Sequence, residues 1–312
     1  ISIDFEHNRM RLQQKLIQDF VFAYARNMNG DTRQNQGFDG DVPFNIGNDG
    51  KHVRAPQGAV RARRIEMLDN PVSIVRAALD PTSKLANLRK DGTRQVIDLT
   101  TSKGDQVSVA FDTESHLPAW MSWIGPDPNL GDVTYKTHFV GYQDIKGVRL
   151  PGGYNTIQDW RNVPWNKIYI DKYEVDAPAD DLAAPAAVKS APEPKPREFN
   201  IEAIPVAKGV WYLRGGAGNS SLFEFDDHMV LFEAYGNEES AKAVIARARS
   251  VVPSKPLTHV IVSHHHFDHS GGLRAAVSEG LTVITQRGNT GIFQEMTARP
   301  AKARRSTSPS SC

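Results

Sequence analysis

The chain has 312 residues, with 37 Lys plus Arg against 36 Asp plus Glu and a formal net charge of +1. That balance supplies no electrostatic reason for a nucleic acid or an anionic membrane as partner, and the length points to two domains rather than one. The only cysteine is Cys312, which excludes an intrachain disulfide framework and any CxxC metal site.

No apolar run approaches the ~18 residues that span a bilayer, so no membrane span is expected. The chain opens at Ile1 without a basic-then-apolar leader. A removed leader and a missing start stay equally open, and a periplasmic or secreted location is the expectation.

Leu12, Leu16, Ile17, Phe20, Val21 and Tyr24 fall on a 3.6-residue period, which predicts an amphipathic helix. A second helix is predicted from Pro71, capped by Asn70, with Val72, Val75 and Leu79 inward. From Arg94 the period changes to two, through Val96, Val107 to Phe111, Val133 to Phe139 and Ile168 to Val175. The pairs Lys103-Gly104 and Lys146-Gly147 sit between these runs as hairpin turns would. Residues 1–175 therefore read as an antiparallel sheet domain with a helix or two on one face. Trp120, Trp123, Trp160 and Trp165 read as core, with an aromatic ligand groove as the alternative.

Residues 176–198 carry five prolines and seven alanines, the composition of an extended linker. Beyond it, strands are predicted at Gly209–Arg214, Ser220–Phe225 and His228–Glu233. A helix capped by Asn237 follows, with Ala241, Val244, Ile245, Ala248 and Val251 on one face. The nearly continuous apolar run from Leu257 reads as a buried strand. A helix through Leu273, Ala276 and Val277, stopping at Gly280, and a strand Leu281–Ile284 complete this part. The fold class expected for the whole chain is α+β.

At the end of the buried strand stands SHHHFDHSGG, residues 263–272. Strand alternation would send His264 and His266 to one side and His265 to the other. Asp268 and His269 follow on the turn into the next helix, close enough to serve a second ion, and Ser270-Gly271-Gly272 lets the backbone turn tightly. Imidazole and carboxylate donors without thiolate suit Zn2+, with Fe or Mn as alternatives.

This motif, with its preceding hairpin, helix and strand, resembles the metallo-β-lactamase superfamily over residues 199 to about 298. The resemblance implies the first half of an αβ/βα sandwich. It also implies one or two zinc ions, with His264 and His266 on the first and Asp268 and His269 on the second. Asp268 is also the candidate catalytic residue. Hydrolysis of a small-molecule substrate by metal-bound hydroxide would follow. Glu233 stands where the family usually has Asp, either as an acceptor orienting the metal loop or as a sheet-edge carboxylate facing water.

The family takes further histidine and carboxylate ligands from strands beyond the motif, whereas no His or Asp follows His269 here. The tail from about residue 299 is basic and aperiodic and is expected to be disordered, like a prematurely ended or frameshifted product. The expectation is a C-terminally truncated metallo-hydrolase, inactive or impaired in this chain. The alternative is a carrier binding an apolar ligand through the N-terminal sheet domain. Oligomeric state stays open.

Overall fold

The computed structural model describes residues 1–16, 32–127, 129–178 and 182–302. The chain is α+β and divides into two compact units, Ile1–Ile124 with Thr134–Pro196, and Gly125–Val133 with Arg197–Ser306.

Unit 1 begins with five short strands, β1 (Ser2–Asp4), β2 (Arg9–Leu16), β3 (Thr32–Asp39), β4 (Val42–Ile46) and β5 (His52–Arg54), paired in chain order as an antiparallel meander. The predicted first helix is thus replaced, over residues 12–16, by β2. Ile17, Phe20, Val21 and Tyr24 lie outside the described residues. Leu12 and Leu16 are four apart, and that spacing puts two residues on one face in a strand as well as in a helix. Met10, Phe38 and Phe44 are fully buried in this sheet. Gly37 is required there, because a Cβ on it would lie 2.1 Å from the Phe44 ring.

Two helices follow, α1 (Ala59–Leu68) and α2 (Pro71–Leu79). Asn70 caps α2, its Oδ1 accepting from Val72 N at 2.9 Å. The inward face of α2 differs from the expectation: Val75 is 37% and Leu79 78% exposed, while Ile74 is fully buried. Ile74 packs with Ile65, Leu68, Leu99, Val107, Val109, Met121 and Phe139, so the packing partner, not the apolar count, sets the rotation of this short helix.

That core lies against a seven-stranded antiparallel sheet made of β6 (Lys84–Asp91), β7 (Arg94–Thr100), β8 (Gln106–Asp112), β9 (Pro118–Asp127), β10 (Gly131–Ile145), β11 (Val148–Gln158) and β12 (Pro164–Tyr169), neighbours in chain order. The predicted turns are present: Lys146 and Gly147 take φ values of 53° and 82° between β10 and β11, and Gly104 takes 82° between β7 and β8. The last expected strand, Ile168–Val175, is displaced toward the N-terminus as β12. Of the tryptophans expected in this core, Trp120 is buried, whereas Trp165 is 59% exposed and meets Tyr135 edge-on.

The Ala/Pro-rich segment is not an extended connector throughout. It forms α3 (Ala186–Ser190) and buries Leu182, Ala184 and Val188, the latter two against Phe44. Arg54 Nη1 donates to the carbonyls of Lys189 and Ala191 at 3.1 and 2.9 Å. Three small or branched apolar side chains suffice to seat the segment, a contribution that composition averages hide.

Unit 2 carries a six-stranded sheet in chain order, β13 (Glu202–Ala207), β14 (Val210–Arg214), β15 (Ser220–Glu224), β16 (Met229–Phe232), β17 (Leu257–Val262) and β18 (Thr282–Thr285). The pairs up to β16 are antiparallel, and β16, β17 and β18 run parallel. The crossovers are α4 (Glu238–Val251), capped by Asn237 Oδ1 accepting from Ser240 N, and the pair α5 (Phe267–Ser270) and α6 (Leu273–Ser278). After β18 comes α7 (Thr290–Ala298). Residues 299–302 of the expected disordered tail are tied within this unit: Arg299 Nε and Nη2 donate to Asp132 O at 3.2 and 3.1 Å. Residues 303–312 lie outside the described residues. Among the described residues no helix is long and apolar enough to cross a membrane.

Candidate metal centre

Parallel strands carry their side-chain chemistry at their C-terminal ends, and the histidine motif stands at that end of β17. The strand stops at Val262, so His264 to His266 lie on an irregular segment leading into α5. The alternation expected of a strand is therefore not what places the imidazoles. Their rings nonetheless gather: His264 lies 4.1 Å from His269 and 4.8 Å from His266, centroid to centroid, while His265 lies 5.1 Å from His266. His264 and His269 are half-buried, and His265, His266 and Asp268 are exposed.

Glu233, immediately after β16, lies beneath this cluster. It is 2% exposed and holds a φ of 71°, a left-handed conformation that a long side chain adopts only when its surroundings impose it. Of its two sequence readings, the carboxylate facing water is excluded by burial. Glu233 Oε1 accepts from Ser263 N at 3.2 Å and lies 3.5 Å from His269 Nδ1. Neither that nitrogen nor Glu233 Oε2 has a hydrogen-bond partner, and buried polar atoms rarely stay unsatisfied without a functional reason.

The loop is fixed from three further directions. Ser270 Oγ donates to the carbonyls of His265 and His266 at 2.9 and 3.0 Å. Asn289, which lies outside the histidine motif, donates from Nδ2 to Ser263 O at 3.3 Å and to Thr285 Oγ1 at 3.0 Å. Its only sequence signal was an amide just past the last parallel strand. Gly271 and Gly272 serve close approach rather than an unusual turn, for their φ values are −62° and −94°. A Cβ on Gly271 would lie 2.1 Å from Gly236 O, and one on Gly272 would lie 2.4 Å from Ala241 Cβ and 2.6 Å from Ala234 O.

Partial desolvation, reinforced by the His269 and His266 imidazoles beside it, holds His264 below the ordinary histidine pKa. A neutral imidazole is what metal ligation requires. The donor types and the orphaned atoms of His269 and Glu233 suit a zinc-like ion. The arrangement is less than a cage, however: among the described residues no group of three or more His, Cys, Asp or Glu side chains is set to hold a metal ion. Asp268 Oδ2 lies 3.6 Å from His269 Nε2, so those two side chains approach each other.

Residues 213–283 match the family model described as Metallo-beta-lactamase superfamily. A linear primary-alkylsulfatase from Pseudomonas sp. is 33% identical over 75 residues, 24% of this chain and 11% of that protein. An (R)-specific secondary-alkylsulfatase from Pseudomonas sp. is 34% identical over 61 residues, 20% of this chain and 9% of that protein. The chain thus spans about a tenth of the length of these curated relatives. A solved metallo-beta-lactamase from Hirschia baltica is similar with a TM-score of 0.27 and 24% identity, over 33% of this chain and 50% of that one.

Proposed function

We propose that unit 2, whose residues 213–283 match the metallo-beta-lactamase superfamily model, is part of a metal-dependent hydrolase of alkyl sulfate esters. His264 and His266 would hold one ion, and Asp268 and His269 a second. Zn2+ is the first choice of metal, and such an ion supplies Lewis acidity and a lowered pKa for water.

The observation that carries the reading is the gathering of His264, His266 and His269 over a buried, strained Glu233. Glu233 orients His269 and the Ser263 amide; Asn289 and Ser270 hold the loop backbone. Such outer partners are what fix ligating imidazoles. The substrate class rests on the two alkylsulfatase relatives, which are 33% and 34% identical over 75 and 61 residues. The reaction would take R–O–SO3− and water to R–OH and hydrogen sulfate.

Among the described residues this assignment has two donors for each ion, where a catalytic zinc ordinarily has three, so slow turnover is expected. The test incubates the zinc-loaded chain with decyl sulfate and follows free sulfate by ion chromatography. Ampicillin and bis(4-nitrophenyl) phosphate serve as competing chemistries. Slow sulfate release that vanishes in a His264→Ala, His266→Ala double variant is expected. Faster cleavage of either competitor, or no histidine-dependent sulfate release, overturns the assignment.

A further inference from the structure

A cavity of about 600 Å³ opens within unit 1, inside the range of roughly 300–1,000 Å³ usual for small-molecule sites. Phe5, Met67, Leu68 and Ala77 form its apolar lining. Met67 packs with the buried residues of the first sheet and Leu68 with those of the second, so the cavity sits where α1 bridges the two. Leu79, 78% exposed, stands at its edge.

The charged groups around it are matched, with one exception. Arg64 pairs with Asp105 at 2.5 Å, and Lys103 with Asp41 at 2.7 Å. The Asp80 carboxylate accepts from Thr82 N at 2.8 Å and from Thr82 Oγ1 at 2.6 Å. Arg76, by contrast, has its guanidinium over the Phe5 ring, 5.4 Å from the centroid, with no carboxylate in ion-pair reach among the described residues. Ser73 is 8% exposed and its Oγ has no hydrogen-bond partner. Ser73 and Arg76 are three residues apart on α2, hence neighbours on one helix face, and both line the cavity.

We propose that this cavity binds a single-chain amphiphilic monoanion, its head met by Arg76 and Ser73 and its alkyl chain laid along Phe5, Met67, Leu68 and Leu79. A buried hydroxyl without a partner beside a guanidinium without a carboxylate calls for an acceptor with negative charge. The apolar lining calls for a hydrocarbon body. One charge fits better than several, because the carboxylates of Asp80 and Asp105 also line the cavity and would repel a polyanion.

Calorimetric titration of the full chain with decanoate and with 1-decanol, below their aggregation limits, tests this. Decanoate is expected to fill one saturable site and to bind more tightly than 1-decanol. Arg76→Gln should weaken decanoate about tenfold or more, the loss of a charged hydrogen bond, and leave 1-decanol unchanged. Leu79→Asp should weaken both. Arg76 and Leu79 are exposed, so their substitution leaves the core intact, which a thermal melt verifies. The His264→Ala, His266→Ala variant should bind decanoate like the parent whether or not unit 2 is a hydrolase. Absence of saturable decanoate binding, equal affinity in Arg76→Gln, or loss in the double histidine variant would each overturn the proposal.

Discussion

The buried carboxylate of Glu233 lies 3.5 Å from Nδ1 of His269 and accepts a hydrogen bond from the amide of Ser263, so one side chain touches both ends of the histidine motif. Removing it should disturb the motif as a whole. Glu233→Ala leaves the Ser263 amide without its acceptor, and such a loss lowers stability by about 1–3 kcal/mol. Glu233→Gln keeps an acceptor oxygen and should lose less. Urea unfolding of the two variants beside the parent reads the difference, and equal losses would mean that the Ser263 contact is incidental.

The imidazole placement predicts unequal effects along the run. His266 lies 4.8 Å from His264, which in turn lies 4.1 Å from His269, whereas His265 neighbours His266 alone among these rings. Zinc affinity should therefore fall on His266→Ala and hardly change on His265→Ala. Calorimetric zinc titration decides it; a larger loss at His265 would reassign the ligand pair.

Gly272 predicts a packing effect. A methyl group there meets Ala241 Cβ at 2.4 Å and Ala234 O at 2.6 Å, one of them backbone, so α6 must move away from α4. Gly272→Ala should destabilise unit 2 by roughly 1–3 kcal/mol, the usual range for overpacking. Hydrogen exchange at the α4 and α6 amides locates the effect, and unchanged protection there would contradict the close approach.

Unit 1 carries a pH dependence of its own. Burial pushes the Asp69 carboxyl up to about 7; the Thr137 hydroxyl, which donates to it at 2.7 Å, opposes this, and nearby Glu66 adds to it. In the unfolded chain the group titrates near 3.8. Between these values the folded state holds a proton that the unfolded state has released, so the contribution is full below the lower value and is lost as pH rises through the upper. Asp69→Asn removes that titration. Its stability relative to the parent should rise between about pH 4 and pH 8, by on the order of 4 kcal/mol. Denaturant unfolding at a series of pH values measures it, and a difference that does not change with pH would contradict the burial argument.

What could be read from the sequence divides by how local the signal is. The Asn70 and Asn237 caps, the Lys146-Gly147 turn and the buried strand from Leu257 each rest on a few adjacent residues, and each is present. The first sheet was hidden because Leu12 and Leu16 satisfy two periods at once and because Gly37 declares its role only beside Phe44. Apolar count turns Val75 and Leu79 inward, yet Ile74, with Ala77 and Ala78, meets the core cluster instead. At the site, the spacing marks the histidine motif, and the rings of His264, His266 and His269 do lie together. The left-handed backbone of Glu233 and the amide of Asn289 were not, since both depend on partners 26 or more residues away.

The proposed role of residues 264–269 is to form the metal-ligating segment of a superfamily hydrolase. Zinc titration of the 312-residue chain against the His264→Ala, His266→Ala double variant tests it most directly. Weak zinc binding is expected in the parent, short of one tightly held ion because the described residues give each ion two donors, with loss of that binding in the double variant. Zinc binding that is indifferent to the double substitution, or none in the parent, would contradict it.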